Sequence, residues 1–231
     1  MRVAIIGWSE GNAGQVDEWY RNSNDTEVKM FVSLDNLPLK VDPSHIQRRS
    51  TKFSYPELTS GGSLTFKGRR LIIDPDWVKN FGSYEIDGVI ICLDDAQSRL
   101  IQIKNAETNG IKFARAHHQT AYLDPSAECH DSAILFPRVF VGYKAEIGKG
   151  VVINTNSQID HHNVICDGVT IDPGCIFAGN VTCEELAHIH TGVVIKNRIT
   201  VGLRSRVGAG SVVIRDVQKD TTVVGVPAAQ I

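Results

Sequence analysis

Two pairs of histidines hold the side chains best suited to chemistry: His161 beside His162, and His188 and His190 on either side of Ile189. Imidazole exchanges a proton near neutral pH and is also a common zinc ligand. The first pair therefore offers general-base chemistry, and the two pairs together offer a histidine-based metal centre. On residue type alone, His161 is equally a solvated surface histidine. The five cysteines, Cys92, Cys129, Cys166, Cys175 and Cys183, include no Cys-x-x-Cys pair. Their odd number points to reduced thiols rather than a disulfide framework. Near the start, Gly7-x-x-x-Gly11-x-x-Gly14 follows an apolar run and precedes a helix-like segment. Such a loop can aim backbone N–H groups at a phosphate. The spacing is not Gly-x-Gly-x-x-Gly, and Trp8 and Glu10 would crowd a dinucleotide, which argues against an NAD site. Asp35-Asn36 closes the second apolar run, where an acidic side chain at a strand's carboxyl edge can meet a nucleotide. The plainer reading is a turn-forming Asp-Asn.

These residues sit in a chain of 231 with 24 basic and 26 acidic side chains and a formal charge of −2. That balance argues against a nucleic-acid-binding surface, which needs clustered Lys and Arg. The 42% hydrophobic content is in the globular range, and no apolar run approaches the roughly 20 residues of a membrane span. The stretch from Met1 to Gly7 is too short for a signal peptide, so a cytoplasmic location is expected. Residues 1–122 carry 12 of the 16 aromatics, including all three Trp. An imbalance of that size implies two kinds of core.

The first half reads as α/β. Strands are expected at 2–7, 27–34 and 87–93, with a shorter one at 111–114. Helices are expected at 15–22 and 95–109, the latter capped by Asp94 or Asp95 and stopped by Gly110. The alternation favours a small parallel sheet with crossover helices. Residues 36–75, rich in Pro and Gly, read as an insertion containing a hairpin of 64–66 with 71–73.

The second half follows a six-residue rule. Every sixth residue from Leu123 to Val213 is apolar, without a register break, and the positions four later, from Ala127 to Val217, are mostly small or β-branched. This hexapeptide repeat is the sequence mark of a parallel β-helix, in which one apolar residue fills each side and a small residue each corner. Cys129, Cys175 and Cys183 fall on these columns and read as small core hydrophobes. His161, two positions past the inward Ile159, belongs to an outward corner.

The hexads, with Ile159-Asp160-His161, Ala178-Gly179-Asn180-Val181, Val207-Gly208-Ala209-Gly210 and the closing Val224-Gly225-Val226-Pro227-Ala228, resemble the PglD/NeuD-type sugar-nucleotide N-acyltransferases. The resemblance implies a Rossmann-like sugar-nucleotide-binding domain, residues 1–120, followed by a left-handed β-helix, residues 121–231, with three hexads to a coil. It also implies a homotrimer with active sites between subunits, acetyl-CoA as acyl donor and a nucleotide-linked amino sugar as acceptor. With 18 residues per coil, Gly179 stacks on His161 about 4.8 Å away. The family's general base maps onto His161, and its oxyanion-binding glycine onto Gly179. Beside the base the family has an acidic residue, where this chain has His162. A family histidine that contacts the cofactor falls on Thr170, and Thr191 and Ala209 match positions lining the acyl-CoA groove. Gly11, Asn12, Asp35 and Asn36 match the sugar-nucleotide loop and base contacts in degraded form. Two alternatives remain: a zinc enzyme of γ-carbonic-anhydrase type using His161, His162, His188 and His190, and a binding relative that kept the fold without the chemistry. No metal ligand is assigned in the main reading.

Overall fold

The computed structural model describes residues 1–9, 11–21, 25–35 and 56–231; Glu10 and Asn36 lie outside them. The chain divides into two compact units, one of residues 1–94 with 104–114, the other of residues 95–103 with 115–231.

In the first unit, β1 (Arg2–Ile6), β2 (Glu27–Ser33), β3 (Glu57–Leu58), β4 (Leu64–Phe66), β5 (Arg69–Ile73) and β6 (Gly88–Ile91) form one sheet in the order β3-β4-β5-β2-β1-β6. The β5-β2-β1-β6 core is parallel, and β3 and β4 add an antiparallel edge. Val3, Ala4, Ile5, Ile6, Phe31, Val32 and Val89 are fully buried, as unbroken apolar runs in a covered parallel sheet require. Helix α1 (Asn12–Tyr20) starts three residues before the expected position, directly after Gly11. Its Asp17, fully buried, receives Arg21 at 2.8 Å and Arg69 at 3.0 Å, tying the helix to β5. The segment at 111–114 makes a single parallel bridge, Val89 with Phe113, rather than a strand.

The expectation of an appended hairpin in 36–75 needs correction. The turn itself forms: Phe66 pairs with Arg69 across Lys67 and Gly68, both at positive φ, as a tight two-residue hairpin demands. However, β5 also pairs in parallel with β2, so it is an interior strand of the main sheet. Phe66 is fully buried against Phe31, ring centroids 5.0 Å apart. The strand expected at 71–73 is there, starting two residues earlier, and it was its parallel pairing with β2 that the local pattern did not show. Helix α2 (Trp77–Asn80) was not expected; the buried Trp77 anchors it.

The second unit is a parallel β-helix whose strands pair 18 residues apart. The first face holds Ala116–His117, Ile134–Leu135, Val152–Ile153, Thr170–Ile171, His188–Ile189 and Arg206–Val207. The second holds Tyr122–Leu123, Phe140–Val141, Gln158–Ile159, Ile176–Phe177, Val194–Ile195 and Val212–Val213. The third holds Glu128–Cys129, Glu146–Ile147, Val164–Ile165, Thr182–Cys183 and Thr200–Val201. The second residue of each pair points inward, and from Leu135 to Val213 that column is buried throughout. The stack begins one hexad earlier than the apolar column, because His117 occupies the first inward position. Three residues past each inward position from Leu135 to Val207 the backbone turns at positive φ, at His162 and Asn180 among others. Thr222–Gly225 and Ala228–Gln230 close the first face as an antiparallel pair, so the Val224–Ala228 segment acts as an end cap.

Helix α3 (Ala96–Thr108) begins at Asp95, whose carboxylate accepts the Ser98 N–H at 2.7 Å, an N-cap that takes up an otherwise unpaired amide. Its first half belongs to the β-helix unit. Arg99, buried, donates to the Gly150 carbonyl at 2.7 Å and to the Thr170 hydroxyl at 3.0 Å. A Cβ at Gly150 would sit 2.7 Å from Ile103, and one at Gly168 would sit 2.9 Å from Leu100. Glycine at these two corners leaves room for the side chains of Leu100 and Ile103 to approach the corner backbone closely.

Candidate active site

His161 lies in the corner between the second and third faces, held by the pairing of Gln158–Ile159 below Ile176–Phe177 and of Val164–Ile165 below Thr182–Cys183. Gly179 occupies the equivalent corner one coil on, as the 18-residue spacing predicts. The imidazole lies flat against it: a Cβ at Gly179 would stand 2.8 Å from Nδ1 and closer still to Cε1 and Nε2. Gly179 is glycine because the ring covers its Cα, not because of its backbone angle.

The peptide groups around this contact are used unevenly. Asn180 N–H donates to the His161 carbonyl at 3.0 Å, and the Gly179 carbonyl accepts from Arg198 N–H at 3.2 Å. The buried Gly179 N–H has no acceptor among the described residues. Buried amide N–H groups are nearly always paired, so this donor is available to a ligand. Asn163, fully buried, locks the two corners together: its Nδ2 donates to the Asp160 carbonyl at 2.9 Å, and its Oδ1 accepts from Val181 N–H at 2.6 Å. That is why an amide interrupts the column of small corner residues.

His162 supplies the neighbour of His161. The two Nδ1 atoms are 3.0 Å apart and the rings stand nearly perpendicular. The His162 ring also meets Tyr143 edge-on at 5.5 Å. Asp160 does not take the place of an acidic partner, since its carboxylate accepts the His161 backbone N–H at 2.8 Å. For His161 to act as a base, its Nδ1–H must donate to the His162 Nδ1 lone pair, which leaves Nε2 free to accept a proton. A neutral His162 does this as an acceptor without carrying a negative charge.

The remaining candidates fall elsewhere. Thr170 lies on the first face, where its hydroxyl accepts from Arg99. Thr191 and Ala209, both exposed, stack one coil apart at the corner between the first and second faces. Within one chain they lie across the second face from His161. His188 and His190 face Asp172 on the first face and do not join His161. In the first unit, Gly11 precedes α1 and Asp35 follows β2, at the carboxyl edge of the parallel strands. Asn12 Nδ2 donates to Asp94 Oδ1 at 2.8 Å, joining the ends of β1 and β6 where the strand order reverses. Asp94, which the sequence offers as a helix cap, instead follows the buried strand β6 and accepts from Asn12. Asn36 lies outside the described residues.

Two other features are chemically quiet. A groove of about 540 Å³ on the third face is lined by Glu128, Glu146, Asp167 and Glu185 with Cys166 among them. Its acidic walls disfavour a phosphate-bearing ligand, and partial burial together with those carboxylates raises the Cys166 thiol pKa. Burial raises the Cys129 thiol to about 12 and lowers His117 to about 4, so this contacting pair is neutral rather than a thiolate–imidazolium. No helix among the described residues is long and apolar enough to cross a membrane.

No protein-family model matches the chain. Among curated proteins, it is similar to serine acetyltransferase of Bacillus licheniformis, 37% identical over 117 residues, which are 50% of this chain and 52% of that protein. The chain thus spans about half the length of the curated relatives it matches. Two solved structures are similar over the whole chain. One is PerB of Caulobacter crescentus in complex with CoA and GDP-perosamine, with TM-score 0.81, 22% identity and 97% of that chain covered. The other is the acetyltransferase domain of PglB from Neisseria gonorrhoeae in complex with acetyl coenzyme A, with TM-score 0.78, 23% identity and 98% covered. What this chain shares with both is the fold.

Proposed function

We propose that this chain is an N-acyltransferase that moves an acetyl group from acetyl-CoA to the amino group of a nucleotide-linked amino sugar. The observation that carries the reading is the imidazole of His161 lying against the buried Gly179, whose N–H has no acceptor among the described residues. His161 Nε2 takes a proton from the acceptor's ammonium, and the freed amine attacks the thioester carbonyl carbon. Gly179 N–H donates to the oxygen on which negative charge develops. His161 then returns its proton to the departing CoA sulfur as the carbon–sulfur bond breaks, and the second proton that the attacking nitrogen sheds as the amide forms passes to solvent. His162 holds the ring and accepts from Nδ1–H through both steps.

In this reading the first unit is a Rossmann-like holder of the sugar nucleotide, using Gly11, Asn12 and Asp35 with Asp94 added. The β-helix is left-handed, and Thr191 and Ala209 line an acyl-CoA groove that a second copy of the chain brings to His161, in a homotrimer. CoA with GDP-perosamine in PerB and acetyl coenzyme A in the PglB domain support the choice of donor and acceptor. A second reading, acetylation of a small amino acid, is favoured by the half-chain similarity to serine acetyltransferase.

Release of free CoA thiol, followed with a panel of nucleotide-linked amino sugars and with L-serine, separates the two. Turnover is expected with a sugar nucleotide and not with serine. His161→Asn should lower kcat at least about a hundredfold while circular dichroism stays unchanged; undiminished turnover would remove His161 from the mechanism.

A further inference from the structure

We propose that Asp172, His188 and His190 form a binding site for a divalent transition-metal ion of the zinc type. The site lies on the first face, away from His161, and does not depend on the acyl-transfer reading.

Asp172 and His190 stand one coil apart in the same column, and His188 lies two residues before His190 on the same outward side of the strand. Three donors from two neighbouring coils therefore meet on one patch. They converge on a single point: His188 Nε2 is 3.2 Å and His190 Nδ1 is 3.1 Å from the same carboxylate oxygen, Asp172 Oδ2. All three ligand atoms lie within 4.8 Å of one another. Nitrogen and oxygen atoms bound to one tetrahedral zinc at about 2.0–2.1 Å stand about 3.3 Å apart. Two of the three separations already match that value, and a small rotation of the imidazoles, whose centroids are 4.0 Å apart, closes the third.

The backbone holds this set in place. Thr170 pairs with His188 and Ile171 with Ile189, Asp172 N–H donates to the Ile189 carbonyl at 2.8 Å, and His190 N–H donates to the Val207 carbonyl at 2.9 Å. The buried Cys175 thiol donates to the His190 carbonyl at 3.2 Å from the inner side, fixing the peptide from which that ring projects. The three side chains are half-buried, 36%, 36% and 27% exposed. Three protein donors with one side open to water is the arrangement of zinc sites that keep a free coordination position. Two guanidinium groups flank the patch: Arg206, in register with His188 on the next coil and exposed to solvent, and the buried Arg99, which donates to the hydroxyl of Thr170, in register with His188 on the preceding coil. The site differs from the zinc centre weighed on sequence alone, which needed His161 and His162; here a carboxylate from the preceding coil completes the set.

The test uses the full chain without a polyhistidine tag. Equilibrium dialysis against zinc, with metal quantified by mass spectrometry, is expected to give one zinc per chain and a raised thermal midpoint. Asp172→Asn, His188→Gln and His190→Gln should each weaken zinc affinity more than about tenfold, while His161→Asn and His162→Asn leave it unchanged. Cobalt(II) added to the unaltered chain should give the intense visible bands of a low-symmetry protein site, a readout that needs no variant to fold. The proposal is overturned by substoichiometric zinc, by variants at Asp172, His188 and His190 that bind as the parent does, by loss of zinc in His161→Asn, or by a cobalt spectrum like that of the hydrated ion.

Discussion

A methyl group at position 179 has no room beside the His161 imidazole, whose Nδ1 would lie 2.8 Å from it. Gly179→Ala therefore pushes the ring off its seat and away from the Nδ1 of His162. On the proposed acyl-transfer reading, the expected result is a fall in kcat of at least about tenfold, with KM for the acceptor little changed. Steady-state kinetics under saturating acetyl-CoA check this; an unaltered kcat would mean that the His161–Gly179 contact is packing alone. Asn163 belongs to the same scale. Its two side-chain hydrogen bonds join the corner before His161 to the strand after Gly179, and both polar ends are satisfied in a fully buried position. A six-residue column of small side chains showed that position 163 turns inward, but only the contact partners explain why it is an amide.

At the scale of elements, α3 has a mixed allegiance: it starts in the β-helix unit and ends in the other. Asp95 and Gly110, expected from capping rules, do bound it, since the Asp95 carboxylate takes Ser98 N–H and Gly110 turns at positive φ. Its packing partners were not legible, because nothing in a local pattern says that Arg99 will be buried. Arg99 hydrogen-bonds the Gly150 carbonyl and the Thr170 hydroxyl. Arg99→Met keeps most of the volume but strands those acceptors, at a cost of about 2–4 kcal/mol. Urea unfolding is the measurement, and a midpoint equal to the parent's would show that water replaces the guanidinium. The first coil gives the opposite lesson. His117 sits in the inward column, so a search for apolar sixth residues begins one hexad late, at Leu123. The imidazole is tolerated there as a neutral ring, burial holding its pKa near 4.

The whole molecule leaves an apolar column exposed on the second face. Tyr122 and Phe140, stacked at 5.2 Å, are followed along the stack by the polar Gln158 and then by Ile176 and Val194. This face ends at the corner that carries His161, so a second copy docked on it would bring a further surface to the base. Light scattering is expected to give about three times the 25.4 kDa chain mass. Ile176→Asp combined with Val194→Asp should yield monomers that keep the β-helix circular dichroism signal but lose acyl transfer. A monomeric parent, or active monomeric variants, would refute the shared-site arrangement.

Six-residue periodicity determined the β-helix and the inward fate of Cys175 and Cys183, while the 18-residue stacking of Gly179 on His161 followed from the three-hexad coil that the family resemblance implies. It could do so because a solenoid's contacts recur at a constant sequence separation, so the repeat is itself a contact map. The alternation of strands and helices in the first half likewise announced a parallel sheet. Three things waited for tertiary structure: the recruitment of β5 into that sheet, the burial of Arg99 of α3 against Gly150 and Thr170, and the meeting of Asp172 with His188 and His190. Each of these depends on a side chain's direction or on pairing between segments with no periodic relation, and neither is written in local residue types. The acidic residue that the family resemblance implies beside His161 is a histidine here, and only the structure shows that its Nδ1 lies 3.0 Å from that of His161.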